Sequence, residues 1–148
     1  MTSLNDWFAQ LSETRLQQSL DRLNTTDSRA LGLLGFVAVL MAGLWAVYLA
    51  HPRQQTGWRH CAVFLALGLL FISMLCAGLS LVFTVQFDSP DTAELIARYG
   101  SSRDQAYLAY FASVTEAIHF NNAVVRRKSS WLLGATLSLF LSVLVIIL

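Results

Sequence analysis

The sequence predicts an all-α membrane protein: three transmembrane helices, with a cytoplasmic helical stalk formed by extensions of the first and last of them. Three observations carry this expectation. Residues 30–50, 61–85 and 131–148 contain no Asp, Glu, Lys or Arg, and each stretch is long enough as a helix to cross about 30 Å of hydrocarbon. Hydrophobic residues make up 55% of the 148-residue chain and charged residues only 13%, more apolar surface than one soluble core of this size can bury. The residues before the first crossing and before the last place apolar side chains at helical spacing, so each segment reads as a continuation of the helix that enters the bilayer.

The chain begins with Ser3-Leu4-Asn5-Asp6, a hydroxyl followed three positions on by an acid, which opens a helix over residues 3–29. Its apolar residues are Trp7, Phe8, Leu11, Leu16, Leu20 and Leu23, and the stripe shifts around the helix between Leu11 and Leu16. A helix lying on the lipid surface carries an excess of basic residues. Here Arg15, Arg22 and Arg29 are outnumbered by Asp6, Glu13, Asp21 and Asp27, which favours a helix that projects from the membrane and packs on another. Asn24-Thr25-Thr26-Asp27 has middling helix propensity, and a kink there stays open. The first crossing, 30–50, ends at His51-Pro52-Arg53, because proline cannot continue a helix. Tyr48 and Trp58 suit the membrane interface, and the second crossing covers 61–85. A helical region over 91–130 follows. Its first part is a short helix from Asp91 to Tyr99 with a glycine cap at Gly100. Its second part sets Tyr107, Phe111, Val114, Ile118 and Val125 at alternating steps of four and three, with Asn121 in the one polar place of the seam. The third crossing is 131–148.

Basic residues orient the chain. Of ten Lys and Arg, all but Arg53 and Arg59 fall in the two polar segments that share a side with the N-terminus, so the N-terminus is expected inside and Leu148 outside. The first and last helices then enter the membrane in the same direction and run parallel. Aligning Ala30 with Trp131 as the starts of their crossings sets Trp7 level with Tyr107 and Asp27 level with Lys128.

Several function classes are disfavoured. A net charge of +1, with no basic run interleaved with aromatics, argues against a nucleic acid polymer as partner. No Asp, Glu, Lys, Arg or His lies within a crossing, which disfavours proton- or ion-coupled transport. Cys61 and Cys76 lie roughly 22 Å apart along one helix, beyond disulfide reach, and read as packing residues. His51, His60 and His119 are not grouped with other ligands, so no metal is expected. Phosphate-cradling loops, activated nucleophiles and paired carboxylates are missing from the sequence, and neither catalysis nor a cofactor is expected.

The lipid bilayer is the first partner, and a second copy of the chain is the next. Small residues line a face of each crossing: Ser28, Gly32, Gly35, Ala42 and Ala46; then Ala62, Ala66, Ser73, Ala77, Ser80 and Thr84; then Gly134, Ser138 and Ser142. Such faces let helices approach closely, a reading preferred to a pore lining, and they exceed what one three-helix subunit can use internally. Polar residues gather where the stalk meets the bilayer, in a collar of Asp27, Arg29, Asn121, Asn122, Arg126, Arg127 and Lys128. Cations with amides can receive an anion such as a nucleotide phosphate. The same residues also serve as a topology signal, a lipid-headgroup contact and, at Asn121, a register-setting amide.

Arg22-Leu-Asn-Thr-Thr-Asp27-Ser-Arg29-Ala30, running into Leu33-Leu34-Gly35-Phe36, resembles the start of the first crossing in the small transmembrane effectors of bacterial Pycsar anti-phage defence. There an Asp, a basic residue and Ala precede an apolar helix. Ala117-Ile118-His-Phe-Asn121-Asn122, with Lys128 before the last crossing, is similar to the family's second block; Arg29 stands where Lys is commoner and keeps the charge. The resemblance implies a protein of the bacterial inner membrane. It further implies a partner cyclase that makes a cyclic pyrimidine nucleotide during infection, and an effector that responds by impairing membrane integrity. A non-enzymatic scaffold whose stalk docks a cytoplasmic protein fits the same physical features.

Overall fold

The computed structural model describes residues 4–50, 57–82, 97 and 103–147, with side chains of the first helix described from Gln10 onward. Among these residues the chain is helical throughout: α1 is Leu4–Ala50, α2 is Gly57–Val82 and α3 is Arg103–Ile147. The turn expected at His51-Pro52-Arg53, residues 83–85 of the second crossing and, apart from Ala97, the short helix expected over Asp91–Tyr99 lie outside the described residues.

α1 runs for 47 residues, and its helical hydrogen bonding continues without a break through Asn24–Asp27. The Thr25 hydroxyl donates to the Asp21 carbonyl at 2.7 Å, one turn back, and so bonds within the helix instead of competing with it. Thr14 does the same to the Gln10 carbonyl at 2.8 Å.

The fold divides into two units, each built partly from α1 and partly from α3. The first comprises Met1–Thr25 and Thr84–Arg126. Its core is Leu16, Val114 and Ala117, with Leu20, Tyr110 and Ile118 packed against it. The helices are parallel, since Glu13 meets Tyr110 and, further along both, Ser19 meets Asn121. The centre of the seam is Leu16, Ser19 and Leu23 on α1 against Val114, Ala117 and Asn121 on α3, at steps of three and four. Tyr107, Phe111, Ile118 and Val125 flank that line instead of forming it. Small side chains at Ser19 and Ala117 take the middle because they let the two backbones come closest.

The second unit comprises Thr26–Phe83 and Arg127–Leu148 and holds the three apolar segments. α2 runs antiparallel to α1, with Tyr48 beside both His60 and Phe64. Its buried residues recur at sevens: Ala30 and Val37 on α1; Ala66, Ser73 and Ser80 on α2, with Leu70 and Ala77 between; Lys128, Ala135 and Ser142 on α3. A repeat of 3.5 residues per turn is the spacing that makes helices coil around one another with a left-handed twist. The outer faces carry Leu31, Phe36, Val39, Phe64, Phe71, Leu133, Leu137 and Phe140, all more than half exposed. Only 11%, 22% and 11% of the most apolar windows of α1, α2 and α3 are covered by the chain itself, so the surface that remains is one for lipid and not for water.

Candidate functional site

The most demanding polar feature lies in the second unit, one or two residues inside its boundaries on α1 and α3. Lys128 is the largest fully buried side chain described, 1% exposed, and its ammonium donates to Asp27 Oδ1 at 2.6 Å. The two residues are 101 positions apart, the offset obtained by aligning Ala30 with Trp131. The geometry follows from the sequence: two parallel helices in that register turn Asp27 and Lys128 toward one another at the same height. The pair is asymmetric. Asp27 keeps 23% of its side chain exposed and retains some solvent, whereas Lys128 depends on Asp27 to balance its charge.

The first unit has a neutral counterpart. Asn121 is fully buried, and its Nδ2 donates to Ser19 Oγ at 3.3 Å; Ser19 in turn donates to the Leu16 carbonyl at 2.7 Å. A buried amide bonded across the seam specifies which residues face each other, as a polar position in a coiled-coil seam does. Near the N-terminal end of the same seam, the Tyr110 hydroxyl donates to Glu13 Oε1 at 3.3 Å. Partial burial of the phenol and the negative charge of Glu13 push its pKa above the usual tyrosine value.

The seven collar residues are therefore shared between the units. Asn121, Asn122 and Arg126 belong to the first, and Asp27, Arg29, Arg127 and Lys128 to the second. Asn122, Arg126, Arg29 and Arg127 are exposed, unlike Asn121 and Lys128.

The small-residue faces also separate. Ser73, Ala77 and Ser80 are fully buried, and Ser73 Oγ donates to the Ala135 carbonyl at 2.8 Å, tying α2 to α3. A Cβ at Gly134 would touch Cys76 Sγ at 3.9 Å, an ordinary contact, and Ser138 is half-buried. Gly32 and Gly35 are exposed, with nothing within 4 Å of where a Cβ would stand. α1 buries Ala30 and Val37 instead, so its glycine face points away from the other described helices of the chain.

Some contacts of the second unit leave no mark in the sequence. The Tyr48 hydroxyl and His60 Nδ1 are hydrogen-bonded at 3.1 Å, and Trp45 stacks on Tyr48 with ring centroids 5.6 Å apart. Beside them a cavity of about 330 Å³ opens between Leu44, Trp58, Ala62, Val63 and Ile146, with Arg59 as its one charged wall residue. Among the described residues no three His, Cys, Asp or Glu side chains are grouped to hold a metal ion.

These features define a helical membrane protein in which a buried charge pair, a buried amide and buried hydroxyls hold long helices in register. The chain belongs to the PycTM family, the Pycsar effector protein domain, whose family model matches residues 11–148. Its role is that of an effector in anti-phage defence, and the family is not a known enzyme family. No curated protein and no solved structure matches the chain.

Proposed function

We propose that the protein lies in the bacterial inner membrane with its N-terminus in the cytoplasm, and that it answers a cyclic pyrimidine nucleotide, made by a partner cyclase, by impairing the integrity of that membrane. The observation that carries this reading is the buried Lys128–Asp27 pair between α1 and α3, the two helices that supply residues to both units. A buried pair of this kind has two well-separated conditions, made or broken, because an unpaired ammonium in that place is costly. A ligand that binds one condition better shifts the population between them. The anionic phosphate of a cyclic nucleotide complements the exposed cations Arg29 and Arg127 of the membrane unit, which set the threshold for the response. Self-association through the glycine face of α1 would place several copies side by side. The test is membrane potential, followed with a dye in cells that make the protein together with an active or an inactivated nucleotide cyclase. Depolarisation with the active cyclase alone supports the reading. Unchanged potential with abundant, inserted protein rejects it in favour of a scaffold role.

A further inference from the structure

Ser73 of α2 bonds the Ala135 carbonyl of α3, which fixes how these antiparallel helices face each other. Moving one heptad from that contact in each direction sets Ser80 level with Lys128, and Ser142 level with Ala66. Buried polar groups thus recur along the inside of the membrane unit at intervals of roughly 10 Å. In order they are the Asp27–Lys128 pair with Ser80, then Ser73, then Ser142, and beyond them lies the half-buried Tyr48–His60 hydrogen bond. Between them Ala30, Ala66, Ala77 and Ala135 are small, while Val37 and Leu70 are the larger apolar side chains of the seam; all six are fully buried.

Hydroxyls in membrane seams commonly act as glue, and Ser73 does so. Ser80 and Ser142 do not. Both are fully buried, and neither hydroxyl has a hydrogen-bond partner. An unmade bond in hydrocarbon raises the free energy of the packed state, and alanine would fill either position without it.

We propose that this seam is the path along which water, and with it protons, cross the bilayer when the protein is triggered. The inference rests on the membrane-impairing function above and names its route: the inside of one three-helix unit, not the lipid around it. When Lys128 loses Asp27, the buried ammonium draws in water from the partly exposed Asp27 end. Ser80 and Ser142 then gain the partners they lack. About three waters hydrogen-bonded at ~2.8 Å bridge each interval between layers. A proton passes when each water or hydroxyl accepts one from the side of higher proton potential and releases another to the next, so no group is left changed.

Full-length protein in liposomes containing a pH-sensitive dye, under a potassium diffusion potential, tests the route directly. Asp27→Asn should raise proton entry about tenfold over wild type, and adding Ser142→Val should return it to the wild-type rate. Vesicles holding correctly inserted Asp27→Asn protein that are as tight as wild type overturn the proposal, as does a leak that ignores Ser142→Val. Should Asp27→Asn fail to insert, Ser142→Cys in a background without Cys61 and Cys76 serves instead, in cells with the active cyclase. A water-soluble thiol reagent should modify it faster than with the inactivated cyclase. Collapse of the membrane potential with no change in that rate rejects the seam and leaves the effector reading standing. Unchanged potential rejects the effector reading, and the liposome experiment then decides the seam alone.

Discussion

Removing the two members of the buried pair should have unequal consequences. Asp27→Asn leaves the Lys128 ammonium, 1% exposed, without its carboxylate, and losing one partner of a buried pair costs about 3–5 kcal/mol. Lys128→Met keeps much of the volume of the side chain and leaves a carboxylate that is 23% exposed and can be hydrated, so its cost is about 1–2 kcal/mol. The double variant carries no buried charge and should lie within about 1 kcal/mol of wild type, or be more stable, because well-packed apolar residues commonly replace a buried ion pair without loss. The two changes are thus strongly non-additive. Unfolding in mixed micelles with increasing denaturing detergent, followed by tryptophan fluorescence, measures all four proteins. Equal costs for the single variants, or a double variant whose cost is their sum, would refute the argument from burial.

Three further outcomes follow from the structure. The raised pKa of Tyr110 means that the folded state holds the phenolic proton more tightly than the unfolded chain does. The stabilisation is complete below the unfolded value of about 10 and is lost as pH rises through the higher folded value, so Tyr110→Phe should flatten the alkaline part of the stability curve. A Cβ at Gly32 or Gly35 would meet nothing within 4 Å and both positions are exposed, so Gly32→Leu and Gly35→Leu should not lower the subunit's own stability. Any change they cause in cross-linked species in native membranes then reports contact between copies, and an unchanged pattern counts against this face as an interface. Cysteines at Gln55 and at Ser102, in a background without Cys61 and Cys76, should label from the outside and from the cytoplasm respectively; the reverse pattern would invert the proposed orientation.

Much of the fold was legible because membrane helices announce themselves by length and by lack of charge. The register between α1 and α3 was legible as well. Both helices enter the apolar region in the same direction, so matching Ala30 to Trp131 was enough to bring Asp27 to Lys128. Which face each helix turns inward was harder to read. Apolar residues mark the seam of a water-soluble helix, but in a membrane every face is apolar, and the inward one is marked only by smallness and by the sevenfold repeat. On α1 two such faces compete: the glycine face was the more conspicuous in the sequence, yet the chain buries Ala30 and Val37. Ser19 and Ala117 carry no seam signal in the sequence for a related reason, since they fill the seam by being small, between larger residues that look more like a core. The Tyr48–His60 bond joins positions on two different helices, and no local spacing encodes it.

The membrane potential of living cells tests the effector reading most directly. Wild-type protein made beside an active nucleotide cyclase should depolarise the membrane. An inactivated cyclase should leave the potential intact, and Arg29→Gln should shift the response to higher cyclase activity without lowering protein levels. Potential that stays unchanged under every condition, with the protein abundant and inserted, would mean that the protein does not impair the membrane in answer to the cyclase.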